Sequence, residues 1–554
     1  MAPRTVVLVL AFALAVSAAP GAQRSRPAPL AAADIDAIVQ LTKLEDTRQF
    51  DEAALGRLVR SAHSEVRRRA VVSIGRIVDP RGRALLAGLR ADTHPDFLAT
   101  VAFSTGQVKD PEAVPWLEEQ LSNAKTPSAV AFEAARALGK IRTPEARAAL
   151  ARYLTAAPAS AAAAPAVGEA LLSIGRFMPP GDLAPILRWT TSADVEVRWR
   201  AAWALFRPRD PGAVEHLLRM TADTSPEVRF WAVRGLTAAA VDLAKMDRAT
   251  AAARLREAMR DTDRRVRTEA LRALGSATSG YDDDESFSAV LAALDSPDTW
   301  LSVSAAEAMP RFMSRKDVVV PRLRAAIAPA KPLSLRLTVL PALVAMAPEA
   351  AKEAATALAA ESSVVAKSTA TQTLARLEGP RPPQPGGPRP PRPAPVARPD
   401  DEYRQIVERW VVSDYNGSPK PRVLLETPRG AIEIELYPGD APLGLAHLVR
   451  TIESGAIVGT EFGRVVPNFV AQQLAIRDDV TLRDEVNRRG LNRGTLSWAS
   501  AGLDTGRPGY TLGSTPQPHN EGDFTALGRV VRGLDVVDRL ELGDRITGAR
   551  MLTK

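Results

Sequence analysis

The sequence predicts a multidomain chain in which an all-α repeat solenoid, over residues 32–378, precedes a mainly-β domain over 401–554. Three observations predict it. A motif of polar turn, Val-Arg and Ala-rich amphipathic helix recurs every 31 to 38 residues. A Pro-rich segment at 379–400 then interrupts every periodic pattern. Beyond it the apolar period changes from helical to alternating. At 554 residues the chain is too long for one core, which fits this division.

The chain opens MAPRTVVLVLAFALAVSAAPGAQ. Arg4 forms a positive start, Val6 to Val16 an apolar run, and Ser17 to Ala22 a small-residue zone, so residues 1–22 read as a secretory signal peptide. The apolar run is well short of the roughly 20 residues that span a bilayer. Cleavage would leave a periplasmic or secreted protein without a membrane span; an uncleaved leader would anchor it. With no Cys in the chain, disulfides and thiolate metal sites are excluded, and stability must come from the cores. The net charge of +8 is spread over dispersed Arg residues with no basic stripe interleaved with aromatics, which argues against nucleic acid.

The solenoid motif is clearest in HSEVRRRAVVSIGRI (63–77), SADVEVRWRAAWALFRP (192–208), SPEVRFWAVRGL (225–236) and DRRVRTEALRALGSA (263–277). Its Val recurs at Val66, Val197, Val228 and Val266, with weaker copies through Phe97, Val130, Val167, Leu301 and Leu335. One helix pair cannot bury its apolar face alone, but stacked neighbours can. The Asp/Ser/Pro turn is expected to cap each second helix. The Arg after Val lies near a helix start, where the macrodipole disfavours it, so it should bond a neighbouring carboxylate or carbonyl. These repeats resemble HEAT repeats of the short bacterial type. The resemblance implies a concave surface for an unidentified protein partner; a spacer without a partner is the plainer reading.

GPRPPQPGGPRPPRPAPVARPD (379–400) cannot build a helix or sheet core and reads as a semi-rigid polyproline II linker. DEYRQIVERWVVSDY then reads as one amphipathic helix with Tyr403, Ile406, Val407, Trp410 and Val411 on one side. Strands are expected at 423–425 and 432–436 around the turn 428–430, with a helix over 441–455 closed by Gly455. Further strands are expected at 464–466, 496–499, 525–531 and near the C-terminus.

The blocks FGRVVPNFVAQ, RGTLSWASAGLDTG and TPQPHNEGDFTALGRVVRGLDVVDRL follow one another in the order and spacing of a cyclophilin. The resemblance runs from Val423 to near the C-terminus. It implies a cyclophilin-like barrel and peptidyl-prolyl cis-trans isomerase activity on X-Pro peptides or proteins, with no cofactor or metal. The reaction rotates an amide whose barrier is about 18–20 kcal/mol. A site accelerates it by preferring the twisted amide, through a guanidinium aimed at the prolyl nitrogen and an apolar pocket for the ring.

By this resemblance Arg464 matches the catalytic arginine, Phe469 a pocket aromatic and Gln472 a backbone-binding glutamine. Val470 stands where Met is usual. His519 occupies a rim position held by Trp or His, and Phe524 one held by His or Tyr. Other positions depart from the family. Thr511 replaces a pocket Phe, with Tyr510 beside it. Gly509 replaces a Gln, Asn520 an apolar residue and Ser500 an Asn. Arg507 and Pro508 replace a Gly-Ser pair, and Gly463 a His. A lost pocket Phe removes apolar contact worth about 1–3 kcal/mol. Lost anchors remove about 1 kcal/mol each. Two functions therefore stay open. One is an isomerase acting on exported proteins, with the solenoid as protein-binding element. The other is a catalytically weak or inactive cyclophilin-like fold in a binding scaffold.

Overall fold

The computed structural model describes residues 28–178, 181–276, 280–379, 398–474, 482–500 and 502–552. The expected leader at 1–22 and nearly all of the Pro-rich segment lie outside them.

Helices account for the described chain from Ala32 to Glu378. The second helices of the pairs stack on one another in succession, from Ser64–Ile77 through Pro95–Gln107, Ser128–Ile141, Ala164–Ile174, Val195–Phe206, Pro226–Arg234 and Arg264–Leu274 to Thr299–Ala308. The repeated Val side chains at 66, 197, 228 and 266 are all buried in this stack. Small residues let the helices close up; a Cβ on Gly106 would meet the Ala137 backbone at 2.7 Å.

The turn residues cap as expected. Asp194, Asp263 and Asp298 accept from the backbone N–H two residues on, opening the helices Val195–Phe206, Arg264–Leu274 and Thr299–Ala308. Ser225 does not cap with its side chain. The Arg of each Val-Arg reaches the next repeat. Arg198 pairs with Asp223, Arg229 with Asp261 and Arg267 with Asp298. Each also donates to carbonyls of its own turn, as Arg229 does to Asp223 O at 2.9 Å. A ladder of charge-assisted bonds thus fixes the repeat-to-repeat rise.

The C-terminal region is one antiparallel sheet of eight strands, β1 (Arg422–Thr427), β2 (Gly430–Leu436), β3 (Phe462–Val466), β4 (Val470–Gln473), β5 (Thr495–Ala499), β6 (Arg507–Gly513), β7 (Ala526–Arg532) and β8 (Gly548–Leu552). Their spatial order is β3-β4-β6-β5-β7-β2-β1-β8. The segments just before β3 and β8 bond each other, through Phe462 N to Asp544 O and Ile546 N to Thr460 O, and so bring the two edges together. Closure removes the exposed edges that an open sheet would leave. Val423, Leu425, Ile434, Phe462, Leu496, Trp498 and Leu512 fill the interior. The helix Pro442–Glu453 covers one end, where His447 packs edge-on to Trp498. The sequence reading placed the other six strands but missed β4 and β6, whose short runs carry Gln, Gly and Thr rather than a clean alternation.

The region 400–415 departs from one regular helix. Residues Val407–Val412 form π-helix between two α segments. This rotates the apolar residues onto two faces. Tyr403, Ile406 and Trp410 join the barrel's core, whereas Val407 and Val411 join the first solenoid core. Tyr403 Oη also donates to Asp46 of the first helix at 2.8 Å.

The largest departure concerns the solenoid's concave side. The sequence reading gave it to an unidentified protein partner, with the barrel tethered through the Pro-rich linker. Instead, the stacked second helices hold the barrel. Arg48 pairs with Asp504, and Arg76 donates to Val486 O and Glu485 O. Arg136 and Glu133 meet Arg488, and Lys140 pairs with Asp523. Further along, Thr299 bonds Glu541 and Ser334 bonds Leu542. Glu461 accepts from the N–H groups of Val364 and Val365. The partners are mostly barrel carbonyls and buried carboxylates, which sequence periodicity cannot reveal.

Candidate active site

The β3–β4 hairpin carries Arg464, Phe469, Val470 and Gln472. Its turn holds Asn468 at φ 60°, a left-handed conformation that Asn tolerates better than other side chains. Asn468 Nδ2 donates to Arg265 O at 3.0 Å and to Glu269 Oε1 at 2.7 Å, while Arg272 donates to Pro467 O at 2.8 Å. A solenoid helix therefore sets the hairpin that bears the candidate site.

Arg464 is exposed, and its guanidinium carbon lies 5.3 Å from the Phe469 ring centroid. It has no carboxylate or carbonyl partner among the described residues. Beside it opens a cavity of about 580 Å³, lined by Arg464, Phe469, Val470, Gln472, Ser500, Gly509, Thr511, Asn520 and Phe524. The structure thus brings together every expected site residue except His519. That residue lies just outside, its ring stacked on Phe469 with centroids 5.8 Å apart.

The departures from the family pattern have visible consequences. Thr511 Oγ1 and Ser497 Oγ share a hydrogen bond of 2.6 Å, so this wall is polar where an aromatic ring was expected from the family. Tyr510 is no substitute, because its ring is buried against Trp498 with centroids 4.9 Å apart. Asn520 donates to Gln517, which in turn donates to Phe469 O at 3.1 Å. Asn520 therefore stiffens the pocket rather than offering an apolar contact. Ser500 lines the cavity, but its Oγ is buried and lacks a partner among the described residues, so it does not present the exposed donor that the Asn it replaces would.

Sequence reasoning missed Gln517, Ser497 and Trp498 as pocket lining. Gln517 sits in a Pro-flanked loop whose fold only the finished barrel defines. It also missed the solenoid cations beside His519. Burial and the charges of Arg207, Arg234 and Arg176 push His519 down to about 4, so its ring is neutral near pH 7. Among the described residues no cluster of three or more His, Asp or Glu is arranged to hold a metal.

A second cleft, of about 560 Å³, lies between solenoid and barrel. Its charges answer one another, Glu65 with Arg68 and Arg69, and Glu133 with Arg488. It serves the interface.

The fold and the pocket define a peptide-binding barrel seated in a helical-repeat cradle. A family model described as cyclophilin type peptidyl-prolyl cis-trans isomerase/CLD matches residues 422–553. HEAT repeats match 82–168 and 168–237. A peptidyl-prolyl cis-trans isomerase of Synechococcus elongatus is 33% identical over 140 residues, covering 24% of this chain and 97% of the relative. Peptidyl-prolyl cis-trans isomerase B of Bacillus subtilis is 34% identical over 128 residues, covering 22% and 90%. A solved cyclophilin type isomerase of Cryptosporidium parvum aligns with 24% of this chain and 99% of its own, at 18% identity and a TM-score of 0.23. The chain belongs to the cyclophilin-type peptidyl-prolyl cis-trans isomerase family, through a C-terminal domain that follows HEAT repeats.

Proposed function

We propose that this protein isomerises X-Pro bonds in exported client proteins, with Arg464 as the catalytic residue. The observation that carries the proposal is the unpaired Arg464 guanidinium, poised over Phe469 at the mouth of an open cavity. A guanidinium without a carboxylate keeps its N–H groups for the substrate. Donation to the prolyl nitrogen favours the twisted amide, in which that lone pair is freed. Phe469 and Val470 hold the ring, while Gln472 bonds the flanking backbone. The leader-like residues 4–22 support export to the periplasm or beyond.

The solenoid's part in this reading is twofold. It seats the barrel, and its outer and terminal surfaces receive client protein. The scaffold reading draws on one observation, the polar Thr511–Ser497 wall, which weakens the grip on a proline ring.

The deciding experiment follows cis–trans exchange of an X-Pro peptide with the full chain and its Arg464→Ala variant. Preorganised donors of this kind contribute about 10²–10³ in rate, so Arg464→Ala should lower kcat/KM by about that factor with the fold intact. Exchange at the uncatalysed rate by the folded wild-type chain would instead establish the scaffold. N-terminal sequencing of protein recovered outside the cytoplasm tests export; an intact Met1 there would refute leader cleavage.

A further inference from the structure

The helices that hold the barrel carry a ladder of donors at their C-terminal ends. Arg76, Gln107 and Lys140 stand in the last turns of three successive stacked helices, and Arg176 follows the fourth. Each donates to barrel carbonyls: Arg76 to Val486 O, Gln107 and Lys140 to Gly522 O, and Arg176 to Pro518 O at 2.7 Å. Further along, Arg272 donates to Pro467 O at 2.8 Å. Cations belong at such ends, where helix carbonyls are unpaired.

Arg207 and Arg234 are the rungs between Arg176 and Arg272. Arg207 caps the end of the helix Val195–Phe206, and Arg234 closes Pro226–Arg234. Their neighbours on the ladder grip the two lips of the pocket. Pro518 adjoins His519, Pro467 lies two residues before Phe469, and the His519 and Phe469 rings stack. Yet neither of these two rungs meets a barrel acceptor among the described residues. Arg234 lies over the Phe206, Phe230 and Trp231 rings, with Glu269 at 3.5 Å. Arg207 has no carboxylate or carbonyl partner at all among the described residues. Burial and the like charges of Arg209, Arg142, Arg176 and Arg234 push its pKa down.

Gathering like charges costs free energy; Glu269 beside Arg234 and Glu521 near Arg176 offset part of it, but no carboxylate pairs with Arg207 among the described residues and a neutral His519 offers nothing. An anion entering the cleft would recover that cost and gain bidentate hydrogen bonds from guanidinium. Arg464 adds a further positive charge across Phe469.

We propose that Arg207, with Arg176 and Arg234, forms an anion-selecting lip that directs the site toward X-Pro segments bearing an acidic side chain beside the proline. The inference rests on the isomerase reading for its substrate class, but its electrostatics can be read by binding alone. Arg207 is a specificity-determining residue here, contributed by the solenoid to a site otherwise built from the barrel.

The test uses the full chain with peptides that differ only in one residue next to proline, Glu, Lys or Ala, placed before or after it. Binding is read by fluorescence anisotropy and turnover by NMR exchange. At low salt the Glu peptide should bind at least tenfold more tightly than the Lys peptide in one of the two placements. That ratio should shrink with added salt. Arg207→Glu should invert it, and Arg207→Gln should bring it near one. Arg219→Glu, on an exposed outer helix, should leave it unchanged. Binding of Glu and Lys peptides within twofold of each other, or a ratio untouched by Arg207→Glu in a folded variant, would overturn the lip. Arg207-dependent acidic binding without turnover would keep the lip and refute the isomerase reading.

Discussion

Removing Arg76 should loosen the barrel from its cradle by a measurable amount. The Arg76 side chain is almost fully buried, and all three of its guanidinium nitrogens donate. Nη1 pairs with Glu45 at 2.8 Å, Nε donates to Val486 O at 3.0 Å, and Nη2 donates to Glu485 O at 3.3 Å and to Asp440 O. In Arg76→Ala, the Glu45 carboxylate keeps only its bond from Ser73, Val486 O and Asp440 O lose the Arg76 donor, and Glu485 O keeps only Asn487. Breaking a buried pair in this way costs about 3–5 kcal/mol. The reporter is the segment 482–489. It is irregular in structure yet largely buried; its amides bond barrel groups, as Asp484 N–H does Asp504 and Glu485 N–H does Thr525, while its carbonyls receive the solenoid's donors, so undocking should open it to water. At about 1.4 kcal/mol per tenfold, hydrogen exchange there should accelerate by about two to three and a half orders of magnitude. Arg219→Ala, which breaks exposed contacts with Glu215 and His216, is the control and should cost about 1 kcal/mol or less. Exchange in 482–489 within threefold of that control would refute the clamp.

Stability should fall as pH rises toward neutral. Burial pushes Glu485 up to about 7, against the opposing charge of Arg76 and the N–H groups of Gly444 and Leu443. Asp484 is likewise pushed up to about 6. A carboxyl with a raised folded pKa contributes its stability fully below the unfolded value of about 4.5 and loses it as pH passes the folded value. Glu485 should therefore cost about 3 kcal/mol between pH 4.5 and 8, and urea midpoints of Glu485→Gln should decline less steeply. Asn468→Ala should destabilise by about 3 kcal/mol, from two lost hydrogen bonds and a left-handed backbone. Asn468→Gly removes the bonds without the strain, so the melting temperature of the Ala variant should be the lower. Thr511→Phe should extend the apolar wall beside Phe469 and lower KM for a neutral X-Pro peptide about fivefold or more. An unchanged KM would mean that this wall does not meet the ring.

Much of the architecture was legible because it is periodic. The Val-Arg repeat predicted the stack, and Val66, Val197, Val228 and Val266 are indeed buried in it. Arg198, Arg229 and Arg267 found a carboxylate in the next repeat and Arg67 a carbonyl of its own turn, as helix-dipole reasoning required. The hairpin block 462–473 carried enough pattern to locate Arg464, Phe469 and Gln472 on one cleft. Less legible was the helix at 400–415, read as presenting one face. Its π segment gives Val407 to one core and Tyr403 to the other, a division decided by two bodies competing for its surface.

The sequence by itself determined the local and repeating parts of this protein: helix pairs, caps, strands, and the residues of a cyclophilin pocket with its departures. These follow from propensities and periods that act over a few tens of residues. Only the tertiary structure decided that the solenoid's inner face is occupied by the chain's own barrel, and that Arg176, Arg207 and Arg234 stand beside His519. Those contacts join groups hundreds of residues apart, many through backbone carbonyls, which every residue carries and no sequence pattern distinguishes. The cations at the helix ends looked dispersed along the chain because they recur at the repeat spacing. Stacking the repeats turned that spacing into a single row facing the barrel.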